Sequence, residues 1–425
     1  MISLDALREL ESMDGSLKVG LIGAGFMGKG IVEVVESAPA MEVVAVADVE
    51  IEKACECFEG INFTNYKEIN RLDDARNIVF PKERIVASDY RVVTGLEGLD
   101  FIIEATGVPE IGAEVALFCI MSGKRIGMLN VETDCTAGYW FSEFAKRAGV
   151  VYTVCTGDEP AAIKELCDFS RTLGFSVVAC GKGKNNPLDV SANPDSVSKR
   201  AAEKGLNPRI LTEFVDGTKT MVELACVANA CGLTVDCRNM HGPQAEVDEL
   251  VHTFCLKEEG GVLEREGVVD YVLGNVAPGV FAVVKHPGNM VNATLRYLKL
   301  GEGPCYLLYR PYHLTNIEVP ISIAAACLYN RACLQTSTPP TTEVITIAKH
   351  DLQRGDNIDC IGGFTVYGGI ERSDISRRQN LLPLGIAEGA KLTRDVPKGE
   401  PLTFGDVELA DSLLLHIRRM QEKHV

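Results

Sequence analysis

Lys18 to Ala47 reads "KVGLIGAGFMGKGIVEVVESAPAMEVVAVA". A continuous apolar run is followed by a glycine turn, a stretch with apolar residues at helical spacing, and a second apolar run that ends at Asp48. Two further runs, "LDFIIEATG" and "RIGMLNVETD", flank the helical stretch "PEIGAEVALFCIMSGK". Alternating strand and helix predicts a parallel, doubly wound sheet of the Rossmann type over residues 1–149, with its ligand at the carboxyl ends of the strands. Residues 51–92, with "KEINRLDDARNIVFPKER", are charged and irregular and read as a solvated helical insertion. From Val150 the alternation resumes with "VVYTVCTG", "PAAIKELCDFSRTLG" and "FSVVACGKGKNNP", which predicts a second α/β domain over 150–335. The Thr- and Pro-rich "CLQTSTPPTTE" places a linker at 334–342. Beyond it, 343–425 carries short strands around two related turns, Asp351–Gly355 and Asp395–Gly399, the pattern of a small β-rich module.

Length agrees with this division, since 425 residues exceed what one hydrophobic core serves. A net charge of −17 opposes a non-specific nucleic-acid binder, which needs basic clusters to displace counterions. No long uncharged apolar run suggests a membrane span, and the N-terminal "MISLDALRELESMDGS" is acidic where a signal peptide is basic, so a cytoplasmic protein with small-molecule partners is expected. The fifteen cysteines sit among apolar neighbours, as in "LACVANACG", and read as buried thiols. Cys55 and Cys57 have the wrong spacing for zinc and no second pair.

The first candidate chemistry is the glycine turn. Gly23, Gly25 and Gly28 form G-x-G-x-x-G directly after a strand, with Phe26 and Met27 inside it. Gly23 permits the tight turn, Gly25 lets backbone approach a pyrophosphate, and Gly28 lets helix pack on strand; the helix N-terminus supplies N–H donors for the anion. Asp48, about twenty residues on, is placed to bond the ribose hydroxyls of NAD and to repel a 2′-phosphate; its plainer reading is a strand-end cap. Thr106, Gly107, Asn130 and Glu132 fall at strand ends and are expected to border the nicotinamide.

The second is "LTEFVDGTKTMVELACVANACG", Leu211 to Gly232. Glu213, Asp216 and Lys219 stand three apart, which would put them on one helical face ahead of a run apolar almost all round. A lysine beside carboxylates at the entry to a buried helix has the character of an acid–base site, and Gly217 suggests that the helix begins there with N–H donors open to an anion. Lys182, Lys184, Asn185 and Asn186 close a strand with glycines between them, and could hold a phosphate or carboxylate or form a solvated turn. Arg310 and His313 could reach a pocket or mark a strand's exit. No G-x-S-x-G motif supports a hydrolase.

The glycine loop, "LNVETD", "GKGKNNPLD", "FVDGTKTMVE" and the closing β-module together resemble the homoserine-dehydrogenase-like oxidoreductases that carry a C-terminal SAF domain, among them the 1-deoxy-D-xylulose 5-phosphate reductoisomerase-like (DRL) enzymes. The resemblance spans nearly the whole chain. It implies a Rossmann domain, an α/β catalytic domain, a nicotinamide cofactor and a homodimer or higher oligomer. Homoserine dehydrogenases place a Glu, an Asp and a proton-transferring Lys on the equivalent helix; here Asp216 and Lys219 are three apart rather than four, and "NVETD" stands where they have "ANK".

The expected reaction is hydride transfer to or from a small anionic carbonyl or hydroxy compound. Lys219 would be the acid–base group, Asp216 and Glu213 its orienters, and Lys182 and Lys184 the anion holders. Asp48 favours NAD, whereas reductoisomerase-like members would use NADP, and both stand open. If the substrate is deoxyxylulose phosphate, a divalent ion, Mg or Mn, is expected, although no acidic cluster in the sequence marks its site. A homoserine-like hydroxy-acid or polyol dehydrogenase is the alternative enzyme, and a nucleotide-sensing or carbohydrate-binding protein the alternative without catalysis.

Overall fold

The computed structural model describes residues 2–75 and 78–424. By their contacts these form two compact units, each drawn from separate stretches of chain. One takes residues up to Ala161 with Leu314–Ser337 and His416–His424, and the other Ala162–His313 with Thr338–Leu415. The break at Ser337 falls inside the expected 334–342 linker. The 343–425 segment does not stand apart by contacts, because residues up to Leu415 cluster with 162–313.

The first unit is built on seven parallel strands: β1 (Leu17–Ile22), β2 (Met41–Ala47), β3 (Tyr66–Glu68), β4 (Arg84–Ala87), β5 (Phe101–Glu104), β6 (Arg125–Met128) and β7 (Tyr152–Val154). Their order is β3-β4-β2-β1-β5-β6-β7. Val19, Leu21, Val43, Val46, Phe101 and Ile103 are fully buried, as continuous apolar strands covered on both faces must be. Two expectations are corrected. The 51–92 stretch is no helical insertion: after the helix Ile51–Gly60 it supplies β3 and β4, since the short apolar "RIVA" is wholly buried and pairs with β2. The strand after Val150 closes the first sheet instead of opening a second one, pairing in parallel with β6 (Ile126↔Tyr152). The helix Val319–Tyr329 also joins this unit, with Val319 and Ile323 in its core.

The second unit holds a four-stranded sheet of β8 (Ser176–Lys184), β9 (Val268–Leu273), β10 (Val280–Lys285) and β11 (Tyr306–Arg310), in the order β11-β10-β8-β9. The helix Thr218–Cys231 is buried almost throughout, as its all-round apolar pattern requires. β12 (Thr342–Ala348) pairs antiparallel with β13 (Val366–Arg372), and β14 (Lys391–Leu392) with β15 (Val407–Glu408). The buried amide of Asn229 anchors β12: its Oδ1 accepts from Thr341 N and Thr342 N, each at 2.9 Å. The two related turns are reciprocal. Arg354 N donates to Asp395 Oδ1 at 2.7 Å, Lys398 N donates to Asp351 Oδ1 at 2.8 Å, and Gly355 and Gly399 both take positive φ. Among the described residues no helix is long and apolar enough to cross a membrane.

One carboxyl in the first sheet is out of keeping with its surroundings. Glu104 ends β5 with 0% exposure, and no hydrogen bond reaches its Oε2. Burial pushes its pKa up to about 7, against hydrogen bonds from Thr106 and Asn130, and the nearby Glu132 adds to the rise. Well below the ordinary carboxylate range Glu104 is protonated in folded and unfolded chain alike and costs nothing. Between that range and about 7 the unfolded chain gives up a proton that the folded chain keeps, so stability falls as pH rises, by on the order of 3 kcal/mol in all. Glu104→Gln keeps an acceptor for Thr106 and cannot ionise. Its melting temperature should decline less than that of the wild type between about pH 5 and about pH 8, and equal declines would refute this account.

Candidate active site

The chain leaves β1 toward β2 on one side and returns to β5 on the other, so the sheet's switch point lies at the ends of β1 and β5. The glycine turn sits there. Gly23 has φ +100°, and a Cβ on it would lie 2.6 Å from Ala105 O. A Cβ on Gly28 would lie 2.1 Å from Gly23 O. Packing alone therefore requires both glycines. Gly25 differs: its φ of −70° suits any residue, and nothing lies within 4 Å of the place its Cβ would take. Packing gives no reason for a glycine at 25, which serves as the helix N-cap, whereas a ligand pressed against its backbone would. Gly25 also precedes the helix Phe26–Ser37, whose first turn no side chain caps, so the turn keeps N–H donors for an anion. Phe26 and Met27 are both exposed at that end.

Asp48, half-buried after β2, accepts from Ala24 N at 2.7 Å through Oδ2 and from Glu50 N at 2.9 Å through Oδ1. It is thus a strand-end cap that ties β2 to the glycine turn, and each oxygen keeps a lone pair for a ribose hydroxyl. Of the four residues expected to border the nicotinamide, Thr106 is half-buried and Gly107 exposed. Asn130 and Glu132 are buried and support the site from beneath. The Asn130 side chain is consumed by the fold: it accepts from Thr133 N at 3.2 Å, as the cap of the helix Val131–Ala148, and donates to Val108 O at 3.0 Å.

In the second unit the lysines of β8 are no solvated turn. Lys182 and Lys184 lie two apart on one strand, hence on one face, and are 7% and 6% exposed. Lys182 pairs with the buried Glu223 of Thr218–Cys231, and Lys184 donates to Phe214 O. Burial, and after it the charge of Lys182, lowers the Lys184 pKa to about 8, against the opposing pull of Asp216 and Glu223. Asn185 is exposed; Asn186 is half-buried and accepts from Arg200.

Glu213, Asp216 and Lys219 do not share a helical face. Glu213 and Asp216 belong to the helix Pro208–Asp216, Gly217 ends it at φ +91°, and Lys219 lies in the first turn of Thr218–Cys231. One donor of the expected open helix N-terminus is taken, because Thr218 N donates to Asp216 Oδ1 at 2.9 Å. The other Asp216 oxygen meets Lys349 Nζ at 2.8 Å, both residues being buried. Lys349 also donates to Ala192 O at 2.8 Å and Gly363 O at 2.7 Å. Glu213 and Lys219 are half-buried.

Arg310 shares a sheet face with Lys182, as their common register partner Val280 shows. Its guanidinium, however, is held by Glu165 at 3.0 Å and lies 4.8 Å over the Tyr312 ring. His313 Nδ1 donates to Pro278 O at 2.8 Å. Both residues mark the exit of β11.

Sequence reasoning missed three groups. Lys349 lies far along the chain in the segment read as a small β-rich module, and no local signal points from it to Asp216. Glu104 had a signal, a lone carboxylate closing an apolar strand. The third, His241, has its Nδ1 2.9 Å from the buried Asp270 and its Nε2 3.4 Å from Asp236. The hydrogen bond to Asp270 pushes the His241 pKa up.

No curated protein matches this sequence. Among solved structures, a homoserine dehydrogenase from Thiobacillus denitrificans is similar over 92% of this chain and 99% of its own, at 15% identity and TM-score 0.45. A probable dehydrogenase from Thermotoga maritima is similar over 74% of this chain and 90% of its own, at 12% identity and TM-score 0.44. A putative myo-inositol dehydrogenase from Sinorhizobium meliloti is similar over 74% and 90%, at 12% identity and TM-score 0.42. A family model described as "Oxidoreductase DRL, catalytic domain" matches residues 157–319, the stretch that holds β8 and its buried lysines. Over those residues the chain is similar to the catalytic domain of the DRL oxidoreductases.

Proposed function

We propose that this chain is a nicotinamide-dependent oxidoreductase acting on a small anionic carbonyl or hydroxy compound, best read as a sugar phosphate. The observation that carries the reading is the glycine turn, where packing accounts for Gly23 and Gly28 and leaves Gly25 to a ligand. The dinucleotide's pyrophosphate takes the N–H donors beside Gly25. Asp48 accepts from the ribose hydroxyls, and its charge disfavours a 2′-phosphate, so NAD is preferred to NADP. The cofactor supplies or accepts the hydride.

Lys182 and Lys184 present the charge that holds the substrate's anionic group. Lys184 is also the amine best suited to exchange a proton with the reacting oxygen, because its pKa lies near neutrality. It takes that role in preference to Lys219, the residue that spacing singles out. Lys349 fixes the orientation of Asp216, which with Glu223 balances the two lysines. Formation of 2-C-methyl-D-erythritol 4-phosphate from 1-deoxy-D-xylulose 5-phosphate is the specific activity to test first. A homoserine-like or polyol dehydrogenase is the second reading, favoured by the absence of any need for a rearrangement. The 343–425 segment is proposed to be SAF-like and the protein to act as a homo-oligomer in the cytoplasm.

Gly25→Ala should keep the wild-type melting temperature and weaken NADH binding roughly tenfold or more, about 1.4 kcal/mol, as measured by fluorescence titration. Unchanged affinity would remove the cofactor assignment. In the reductive direction Lys184 must be protonated, so kcat/KM should fall as pH rises through about 8 and the oxidative rate should climb over the same range. Lys182→Met removes a neighbouring positive charge and should move that limb to higher pH. Lys184→Met should cost far more rate than Lys219→Ala; the opposite ranking would return the proton-transfer role to Lys219.

A further inference from the structure

The second unit contains a polar cluster that the proposed reaction does not use. Cys255 follows the short helix Leu250–Thr253, Glu259 ends the turn Lys257–Glu259, and Cys305 immediately precedes β11. One ligand atom from each, two sulfurs and a carboxylate oxygen, lies within 4.8 Å of the other two. In a tetrahedral zinc site, with metal–sulfur bonds of about 2.3 Å, neighbouring ligand atoms stand about 3.8 Å apart, so small side-chain movements would close this set on an ion. The loop that presents it is tightly fixed. Leu263 N donates to Cys255 O at 3.1 Å and Gly261 N to Leu256 O at 3.0 Å. A Cβ on Gly261 would lie 2.1 Å from Cys255 O.

We propose that Cys255, Cys305 and Glu259 bind a thiophilic divalent cation, zinc by the chemistry of the donors, with water in the fourth position. Both sulfurs are buried, whereas Glu259 is exposed and leaves an entry from solvent. Charge balance favours this occupant. Zn²⁺ displaces one proton from each thiol and forms two Zn–S bonds, so the site gains no net charge as two protons leave. Lys285 bonds both Glu259 oxygens, at 2.7 and 2.8 Å, and Glu266 at 2.8 Å. Its ammonium supports ionisation of the thiols, and each Glu259 oxygen retains a lone pair with which to ligate. A second sulfur cluster, in which Cys167 bonds to Cys180 and Cys231, differs in that all three thiols are buried and none gives an entry from solvent. Bound metal would pin the loop after Leu250 to the start of β11.

The test is metal binding by the full chain kept reduced. Zinc is added, excess is removed, and the bound ion is counted by transfer to a chromophoric chelator; in parallel, cobalt(II) is added and its absorption recorded. We expect one zinc per chain, two protons released, and a sulfur-to-cobalt charge-transfer band of two-thiolate intensity. The double variant Cys255→Ser/Cys305→Ser should lose that one equivalent and the band. Cys167→Ala should keep both, and Glu259→Gln should keep the band but release metal at lower chelator concentration. Wild-type stoichiometry in the double variant would overturn the proposal. So would a wild-type cobalt complex without the thiolate band, a result that does not depend on how any variant folds.

Discussion

A charge taken out of water must find a partner, and this constraint organises the second unit. β8 carries two ammonium groups into a covered sheet face, where an unpaired charge would cost several kcal/mol. Glu223 answers Lys182, the Phe214 carbonyl answers Lys184, and Lys349 answers the buried carboxylate of Asp216. Each answer comes from a different element. Together they dictate where the helix Pro208–Asp216 stops, how Thr218–Cys231 is rotated over the sheet, and that a residue following β12 must reach Asp216. The remaining imbalance falls on Lys184, which is why that amine holds its proton weakly.

The first unit obeys a constraint of space instead. β1, its turn and the chain after β5 approach so closely that Gly23 and Gly28 have no room for a side chain. Beneath this contact Asn130, Thr133 and Glu104 form a buried polar layer whose hydrogen bonds position the loop at Thr106 and Gly107. Most of these groups are occupied with one another. The groups left facing outward, Gly25, Phe26 and Gly107, are the ones the proposed cofactor would meet.

The glycine turn and the β8 lysines were legible to different degrees. The glycine turn could be read because its chemistry is local: strand, turn, helix and the acid after the next strand lie within about thirty residues, and their order is itself the signal. The lysines of β8 were visible as residue types, but whether they formed a solvated turn or a buried face depended on what covered them. Glu213, Asp216 and Lys219 were misplaced because three-residue spacing implies a shared face only while one helix continues, and Gly217 breaks it. The strands β3 and β4 were hidden in charged sequence, since a sheet edge needs only a few apolar residues.

The sequence alone determined the class of the first sheet, the glycine turn, the buried helix after Gly217 and the pair of related turns near the C-terminus. All of these follow from periodicity and from residues close together in the chain. Tertiary structure decided which stretches join which unit, that Leu314–Ser337 packs with the N-terminal sheet, that Glu223 answers Lys182 and that Lys349 answers Asp216. The reason is physical. Local patterns report which face of an element is apolar, but the partner of a buried charge is set by distance in space, and that distance exists only once the chain has folded.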